Sequence, residues 1–324
     1  MKIRTALFFA LVSARTAIGV EPEEAQKVPR GSPMMREDLS ESLKVEEPRI
    51  EARQRRIDAE LDALDRNGLK ESDWAKEWAG KYYTGDGLGE NVSIHLAPKA
   101  GISFMNHGCL GLYGGDHGDV VEALPDGLRL KLVFGSAKES FLSERVYFVK
   151  WGPHRFLVPE WQMMEFVNNY NEGGFARETM FGIAFLQGKG DNTRIPEIDA
   201  ATQATKPQLP AKFAKLLLSA PVSLKTSRVS SPAVLQGLDS RVTQVTAEFE
   251  GGSAKGVYVG LRFKYPADKM VEHGIFEVTR VDAETCTAEF HSYENDEVRL
   301  PAAGEVIWVG EKTQKEPPRD ETKK

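Results

Sequence analysis

Short runs in which hydrophobic and polar residues alternate fill most of the chain beyond residue 80, and turn residues such as Pro125-Asp126-Gly127 separate them. Alternation with a period of two is typical of strands that bury one face, and Gly, Pro and Asp at the breaks are typical of tight turns. Within the first half of the pattern, the predicted strands cover residues 81–84, 91–97, 101–106, 110–113, 120–124, 128–134, 145–151, 155–158 and 179–186. A turn is also predicted at Gly114-Gly115-Asp116.

Many short strands joined by tight turns favour an antiparallel meander that closes, or nearly closes, as a barrel. We therefore predict an antiparallel β domain over residues 79–188, with a helix at residues 160–169 docked against it.

A second β region follows a polar stretch. Residues 189–210 are dominated by Gly, Asn, Asp, Thr, Gln and Pro, and this composition predicts a linker. Beyond a short helix at 211–218, the predicted strands cover residues 222–229, 241–250, 257–265, 275–281, 286–293 and 306–309. Five or six strands suit a small SH3-like barrel over residues 211–312, so the predicted fold class is mainly β with an N-terminal helical segment.

The residues before the β pattern have a helical period instead. Ile50, Ile57, Leu61 and Leu64 fall on one helical stripe between charged neighbours, and this spacing predicts a helical lead over residues 48–78. A second short helix is predicted at 72–78, and both helices are expected to cover one end of the β domain. Few bulky apolar groups occur between residues 20 and 47, so we predict a disordered tether there and a disordered tail at 313–324.

The first 19 residues have the three parts of a secretory signal peptide. Lys2 and Arg4 precede an apolar run at residues 6–12, and small residues lead to Gly19. The run is far shorter than the roughly 20 residues that a membrane-spanning helix needs, so a membrane anchor is disfavoured. We expect export to the periplasm or beyond, and no transmembrane segment in the mature chain.

Composition narrows the classes of partner. The chain has 324 residues, 41% of them hydrophobic, and a net charge of −6 that becomes more negative when the basic leader is removed. This charge disfavours nucleic acid and anionic membrane surfaces as partners. A protein or a small molecule in the envelope is the expected partner. The two cysteines, Cys109 and Cys286, are expected as unpaired buried thiols, with a bridge between the two domains as the alternative.

One cluster of residues has the chemistry of metal ligands. His107 and Cys109 are followed across a short predicted strand by Asp116 and His117. Histidine, cysteine and carboxylate are the ligands that zinc prefers, and residues two apart on a strand share a face. A zinc site at these four residues is therefore one interpretation. In a simpler interpretation of these four residues no cofactor is bound, Cys109 packs in the barrel, and the other three form polar turns.

A second cluster has the chemistry of a ligand mouth. Trp151, His154, Arg155 and Trp161 combine aromatic faces with a cation that can orient an anion. The alternative is an ordinary hairpin at residues 151–155 whose aromatic side chains pack into the core.

Motifs with a defined reaction are missing from the sequence. It has no Gly-x-Ser-x-Gly elbow, no His-Glu-x-x-His, no paired Cys-x-x-Cys and no Walker loop. The glycine-rich stretch at residues 85–89 precedes a predicted strand rather than a helix, so a hairpin loop is expected there rather than a phosphate cradle.

Three sequence blocks, at residues 78–91, 108–113 and 151–157, resemble a group of uncharacterised exported bacterial proteins, a resemblance that implies no activity. The Trp-x-Gly-x-Tyr opening at Trp78 is also similar to the start of lipocalin-like meander barrels. Residues 255–263, 276–281 and 304–306 resemble the SH3-like barrel of bacterial envelope and flagellar assembly proteins. In that family the barrel is an interaction module.

Taken together, these patterns predict an exported, non-enzymatic envelope protein that acts as a binding or interaction module. Two alternatives stay open. One is a metal-dependent, hydrolase-type enzyme that uses His107, Cys109, Asp116 and His117, and the other is a lipocalin-like carrier of a small ligand.

Overall fold

In a computed structural model of the chain, the residues described are 34–67, 73–85, 90–108, 111–133, 142–172, 184–188, 200–236, 241–265, 275–293 and 300–310. The chain forms two compact units. The predicted signal peptide and the predicted tail lie outside the described residues.

The first unit begins with two helices, α1 (Met34–Asn67) and α2 (Asp73–Trp78). Helix α1 starts well before the predicted helical lead and continues through Pro48, so the prediction of a disordered tether is corrected for residues 34–47. That stretch is rich in Met, Leu and Glu, which have high helix propensity, and this outweighs its lack of bulky apolar groups. Residues 20–33 of the predicted tether are outside the described part.

Eight strands follow and close into an antiparallel barrel in which each strand pairs with its neighbour in sequence, as predicted. Strand β8 also pairs with β1, which closes the ring. The strands are β1 (Gly80–Gly85), β2 (Glu90–Ala97), β3 (Gly101–Gly108), β4 (Gly111–Leu124), β5 (Gly127–Leu132), β6 (Arg145–Trp151), β7 (His154–Pro159) and β8 (Phe185–Gly188).

Strand β4 corrects one turn prediction. Gly114, Gly115 and Asp116 lie inside a continuous strand of 14 residues rather than in a turn. Glycine at position 115 accompanies a close approach of α1 rather than a bend, because a Cβ atom there would lie 2.8 Å from Cδ1 of Ile50. Glycine inside a strand often marks such a close approach.

The barrel interior is filled with large apolar side chains, among them Tyr82, Phe104, Phe148 and Phe185. Trp78 of α2 belongs to the same core, and its ring stacks on Phe148 with centroids 4.4 Å apart. Helix α1 packs instead on the outer face of β2, β3 and β4. Thus only α2 lies at an end of the barrel, which corrects the expectation for α1.

The described part of the second unit contains three short helices, α3 (Met163–Asn171), α4 (Ala200–Gln203) and α5 (Ala211–Ala214). Its strands are β9 (Val222–Val229), β10 (Ala233–Gln236), β11 (Arg241–Glu250), β12 (Arg262–Lys264), β13 (Ile275–Val281), β14 (Thr285–Tyr293) and β15 (Val306–Val309). They form an antiparallel sheet in the order β12-β13-β14-β11-β9-β15, and β10 pairs with β11.

This sheet differs from the prediction in two strands. Strand β10 was not predicted. The predicted strand at 257–265 shrinks to β12, because Gly260 has a φ of 89° and a turn joins the N–H of Leu261 to the carbonyl oxygen of Tyr258. The SH3-like assignment stays a prediction.

Helix α3 belongs to the second unit, although its position in the chain, between β7 and β8, predicted that it would dock on the first. Its buried amides explain this. Asn168 donates from Nδ2 to the carbonyl oxygen of Gly260 at 2.9 Å, and Asn171 donates to that of Leu216 at 3.0 Å. Buried amides need such partners, and here the segments just before β12 and just after α5 supply them.

No helix in the described part of the chain is long and apolar enough to cross a bilayer. Cys286 is a buried free thiol in the core of the second unit, and burial raises its pKa to about 11. Cys109 is outside the described residues.

Candidate functional site

Strand β4 separates the residues predicted to bind zinc. Asp116 and His117 are consecutive on the strand, so their side chains point to opposite faces of the barrel wall. Asp116 is completely buried and lies opposite Phe104, whereas His107 is exposed and lies opposite Leu112 near the far end of the hairpin.

Among the residues described, no group of three or more His, Cys, Asp or Glu side chains is arranged to hold a metal ion. A site that includes Cys109 stays a prediction, since that residue is not described.

The residues predicted to line a ligand mouth have different surroundings. Trp151 is the last residue of β6, and residues 149–153 belong to the second unit. It is buried there and its Nε1 donates to the carbonyl oxygen of Thr205 at 3.0 Å, so it belongs to a core rather than to an open mouth. In the first unit, His154 and Arg155 are consecutive on β7 and point to opposite faces. Arg155 Nε lies 3.3 Å from Oε1 of Glu77 on α2, and Trp161 is partly exposed.

Three polar side chains inside the barrel form the strongest candidate site. Thr84 on β1 lies opposite Val92, Val92 lies opposite Asn106 on β3, and Asp116 on β4 lies opposite Phe104. Directly opposite residues share a face, and Val92 and Phe104 belong to the interior core. Thr84, Asn106 and Asp116, which we call the interior polar cluster, therefore point into the barrel.

The interior polar cluster lies toward the end of the barrel where β1 leads into β2 and β3 leads into β4. Thr84 and Asp116 are fully buried, and Asn106 is 3% exposed. Oδ1 of Asp116 accepts a hydrogen bond from the backbone N–H of His117 at 2.7 Å. Gly114 lies opposite Asn106 and adds no side chain to the interior, so polar groups take the place of bulky apolar ones in this region.

Thr84 differs from an ordinary core threonine in one respect. Within the described part of the chain its Oγ1 has no hydrogen-bond partner. Leaving a buried hydroxyl unpaired costs about 1–3 kcal/mol relative to a paired one. A buried polar group that lowers the stability of the fold in this way is a candidate for binding a ligand, because such departures from the rules of folding are expected at functional sites.

On the outer face of the same strands, a row of polar residues lies beneath α1. His95 on β2 is directly opposite Ser103 on β3, and Ser103 is directly opposite His117 on β4. Burial lowers the pKa of His95 below its usual value, and the Asp58 carboxylate opposes this shift. The pKa of His117 is also lowered, first by burial and then by the nearby Arg53 guanidinium.

Sequence reasoning missed Thr84, Asn106 and His95. The alternating pattern does hold a signal for the first two, because Thr84 and Asn106 stand two positions after Tyr82 and Phe104 and therefore share their inward face. His95 has no comparable signal, since its partners lie on a distant helix.

Comparison of the chain with protein-family models, with curated proteins and with solved structures found no match.

Proposed function

We propose that this chain is an exported, non-enzymatic bacterial envelope protein whose barrel binds a small polar ligand at the interior polar cluster. The observation that carries the proposal is the fully buried Thr84 hydroxyl, which lacks a partner among the described residues and shares its barrel face with Asn106 and Asp116. A carboxylate, an amide and a hydroxyl together suit a ligand that donates hydrogen bonds, either neutral or cationic.

The barrel architecture supports the proposal of a small polar ligand. Eight strands enclose an interior that side chains fill or that holds one small ligand. Ligand sites combine mostly apolar walls with a few convergent polar groups, and here Val92 and Phe104 are the apolar neighbours of the cluster. Because apolar side chains occupy the rest of the interior, a small polar ligand fits the barrel better than a large apolar one. The role of the second unit as an SH3-like interaction module stays a prediction.

The test compares two buried threonines. Thr84→Val replaces the hydroxyl by a methyl of similar size, so we expect the ligand-free protein to gain about 1 kcal/mol of stability. We also expect the variant to lose binding. The measurement is the thermal unfolding midpoint in the presence of a panel of primary amines, guanidines, amides and polyols, because a ligand raises the midpoint of a protein that binds it.

Thr226→Val is the matched control. Thr226 is also fully buried, its hydroxyl also lacks a partner among the described residues, and it lies in β9 of the second unit. Its substitution should stabilise the chain in the same way and leave ligand binding unchanged. The proposal fails if no compound in the panel shifts the wild-type midpoint, or if a compound shifts both variants equally.

A further inference from the structure

Helix α1 is attached to the barrel largely through polar and charged groups. The apolar core of the barrel contains no described residue of α1. Ile57 instead packs in a small separate cluster with Ala97 and Ala100, and Ile50 is buried against the wall near Gly115. A segment with few apolar contacts can open locally while the rest of the domain stays folded.

His95 is the centre of this interface. Its Nδ1 lies 2.7 Å from Oδ1 of Asp58, and its Nε2 lies 2.9 Å from Nε2 of Gln54, both on α1. The Gln54 amide nitrogen is a donor, so Nε2 of His95 accepts and the ring is neutral with its proton on Nδ1. A second proton on Nε2 would make both groups donors, so the Gln54 amide would have to rotate and present its oxygen to keep the bond.

Burial beneath α1 makes a second proton on His95 unfavourable, while the Asp58 carboxylate favours it and Lys81 opposes it. Lys81 on β1 is directly opposite His95, and its Nζ is 3.1 Å from the same Oδ1 of Asp58. Lys81 therefore offsets only part of the stabilisation that Asp58 gives a charged His95. On β3, the neighbour Ser103 offers a buried hydroxyl and no charge.

The remaining charged groups of the interface are paired between α1 and the wall or along α1. Arg53 contacts Asp119 at 2.5 Å, and Glu46 contacts Arg49 and has an oxygen 4.0 Å from His117 Nε2. Further along α1, the Glu60 carboxylate accepts the backbone N–H groups of Lys99 and Ala100 at 3.0 and 2.6 Å. None of these pairs places a free carboxylate beside His95.

We propose that α1 is an acid-sensitive latch, in which protonation of His95 releases the helix from the outer face of β2, β3 and β4 while the barrel stays folded. This inference is independent of the ligand proposed for the barrel interior.

The sign of the pH dependence follows from burial. The docked helix holds the pKa of His95 below the ordinary value of about 6.5 that the ring regains when α1 is detached. Between the two pKa values the detached state binds more protons, so a fall in pH through that window favours detachment. Above about pH 6.5 the ring is neutral in both states and docking does not change.

The experiment is amide hydrogen exchange of the full chain, read by mass spectrometry and corrected for the intrinsic pH dependence of exchange. Between about pH 7.5 and about pH 5.5, we expect the opening equilibrium of residues 44–67 to rise several-fold, while that of β2 and β3 stays unchanged. His95→Gln keeps a neutral hydrogen-bonding side chain and should remove most of this rise.

Two further variants make the outcome specific. His107→Gln changes an exposed histidine of the same barrel and should keep the full acid response. His117→Gln should remove a smaller part of it than His95→Gln, because burial and Arg53 of α1 also lower the pKa of His117. The inference is overturned if residues 44–67 do not open in acid, if the barrel strands open to the same extent, or if the response persists in His95→Gln.

Discussion

Replacing Gly118 by alanine is expected to destabilise the barrel by about 4 kcal/mol or more, which is a large share of the stability of a typical domain. A Cβ atom at Gly118 would lie 2.2 Å from the carbonyl oxygen of Lys131 and 2.9 Å from Cα of Leu132. Both atoms belong to the backbone of β5, so relief requires the strands to separate. Urea unfolding followed by circular dichroism measures the loss.

Gly115→Ala is the matched control, three residues earlier on the same strand. Its Cβ atom would meet Cδ1 of Ile50 at 2.8 Å and the carbonyl oxygen of Phe104 at 3.1 Å. The nearer atom is the end of a side chain that can turn away, so we expect a loss of about 1–2 kcal/mol. Equal losses of stability in the two variants would contradict the prediction that a clash with backbone atoms costs more than a clash with the end of a side chain.

The glycines of β4 also show which structural role the sequence does not predict. Alternation predicted the strands of the barrel and their antiparallel order, because burial of one face imposes a period of two. Gly114-Gly115-Asp116 was predicted as a turn because glycine is common in turns. In β4 the glycines permit close approach to other parts of the chain, and sequence alone does not distinguish that role from a turn.

The candidate site was partly visible in the sequence. Asp116 stood out as an ionisable residue in an unusual cluster, but its partners were predicted to be its neighbours in sequence, His107, Cys109 and His117. A strand sends adjacent side chains to opposite faces, so Asp116 shares its face with Asn106 and Thr84 instead. Finding them requires the strand register, which depends on pairing across the whole sheet.

The helix interface was not predictable in the same way. The stripe through Ile50, Ile57 and Leu61 predicted which face of α1 is buried, and Ile50 and Ile57 are indeed fully buried. The contact of His95 with Asp58 joins residues 37 positions apart. No local period encodes such a pair, because it forms only when the helix packs across finished strands.

Substituting Phe276 by alanine is expected to destabilise the second unit by about 3–5 kcal/mol. Phe276 is fully buried and stacks on Phe263 with centroids 5.4 Å apart, while the rings of Phe249 and Phe290 lie at 6.0 and 5.3 Å. The substitution removes contacts with three rings at once and leaves a cavity among them. Close-packed interiors relax only partly around such a cavity, so most of the lost contact energy is not recovered.

Cys286 supplies a measurement specific to this unit. It is buried in the same core, directly opposite Phe249, so an alkylating reagent reaches its thiol only when this core opens. The urea concentration at which Cys286 becomes half alkylated should be clearly lower in Phe276→Ala than in the wild type.

Val234→Ala is the control. Its side chain is 60% exposed on β10 of the same sheet, so the substitution should change stability by no more than about 0.5 kcal/mol. If Phe276→Ala matches that control, the stacked rings contribute little to stability, and the core must depend instead on its aliphatic residues.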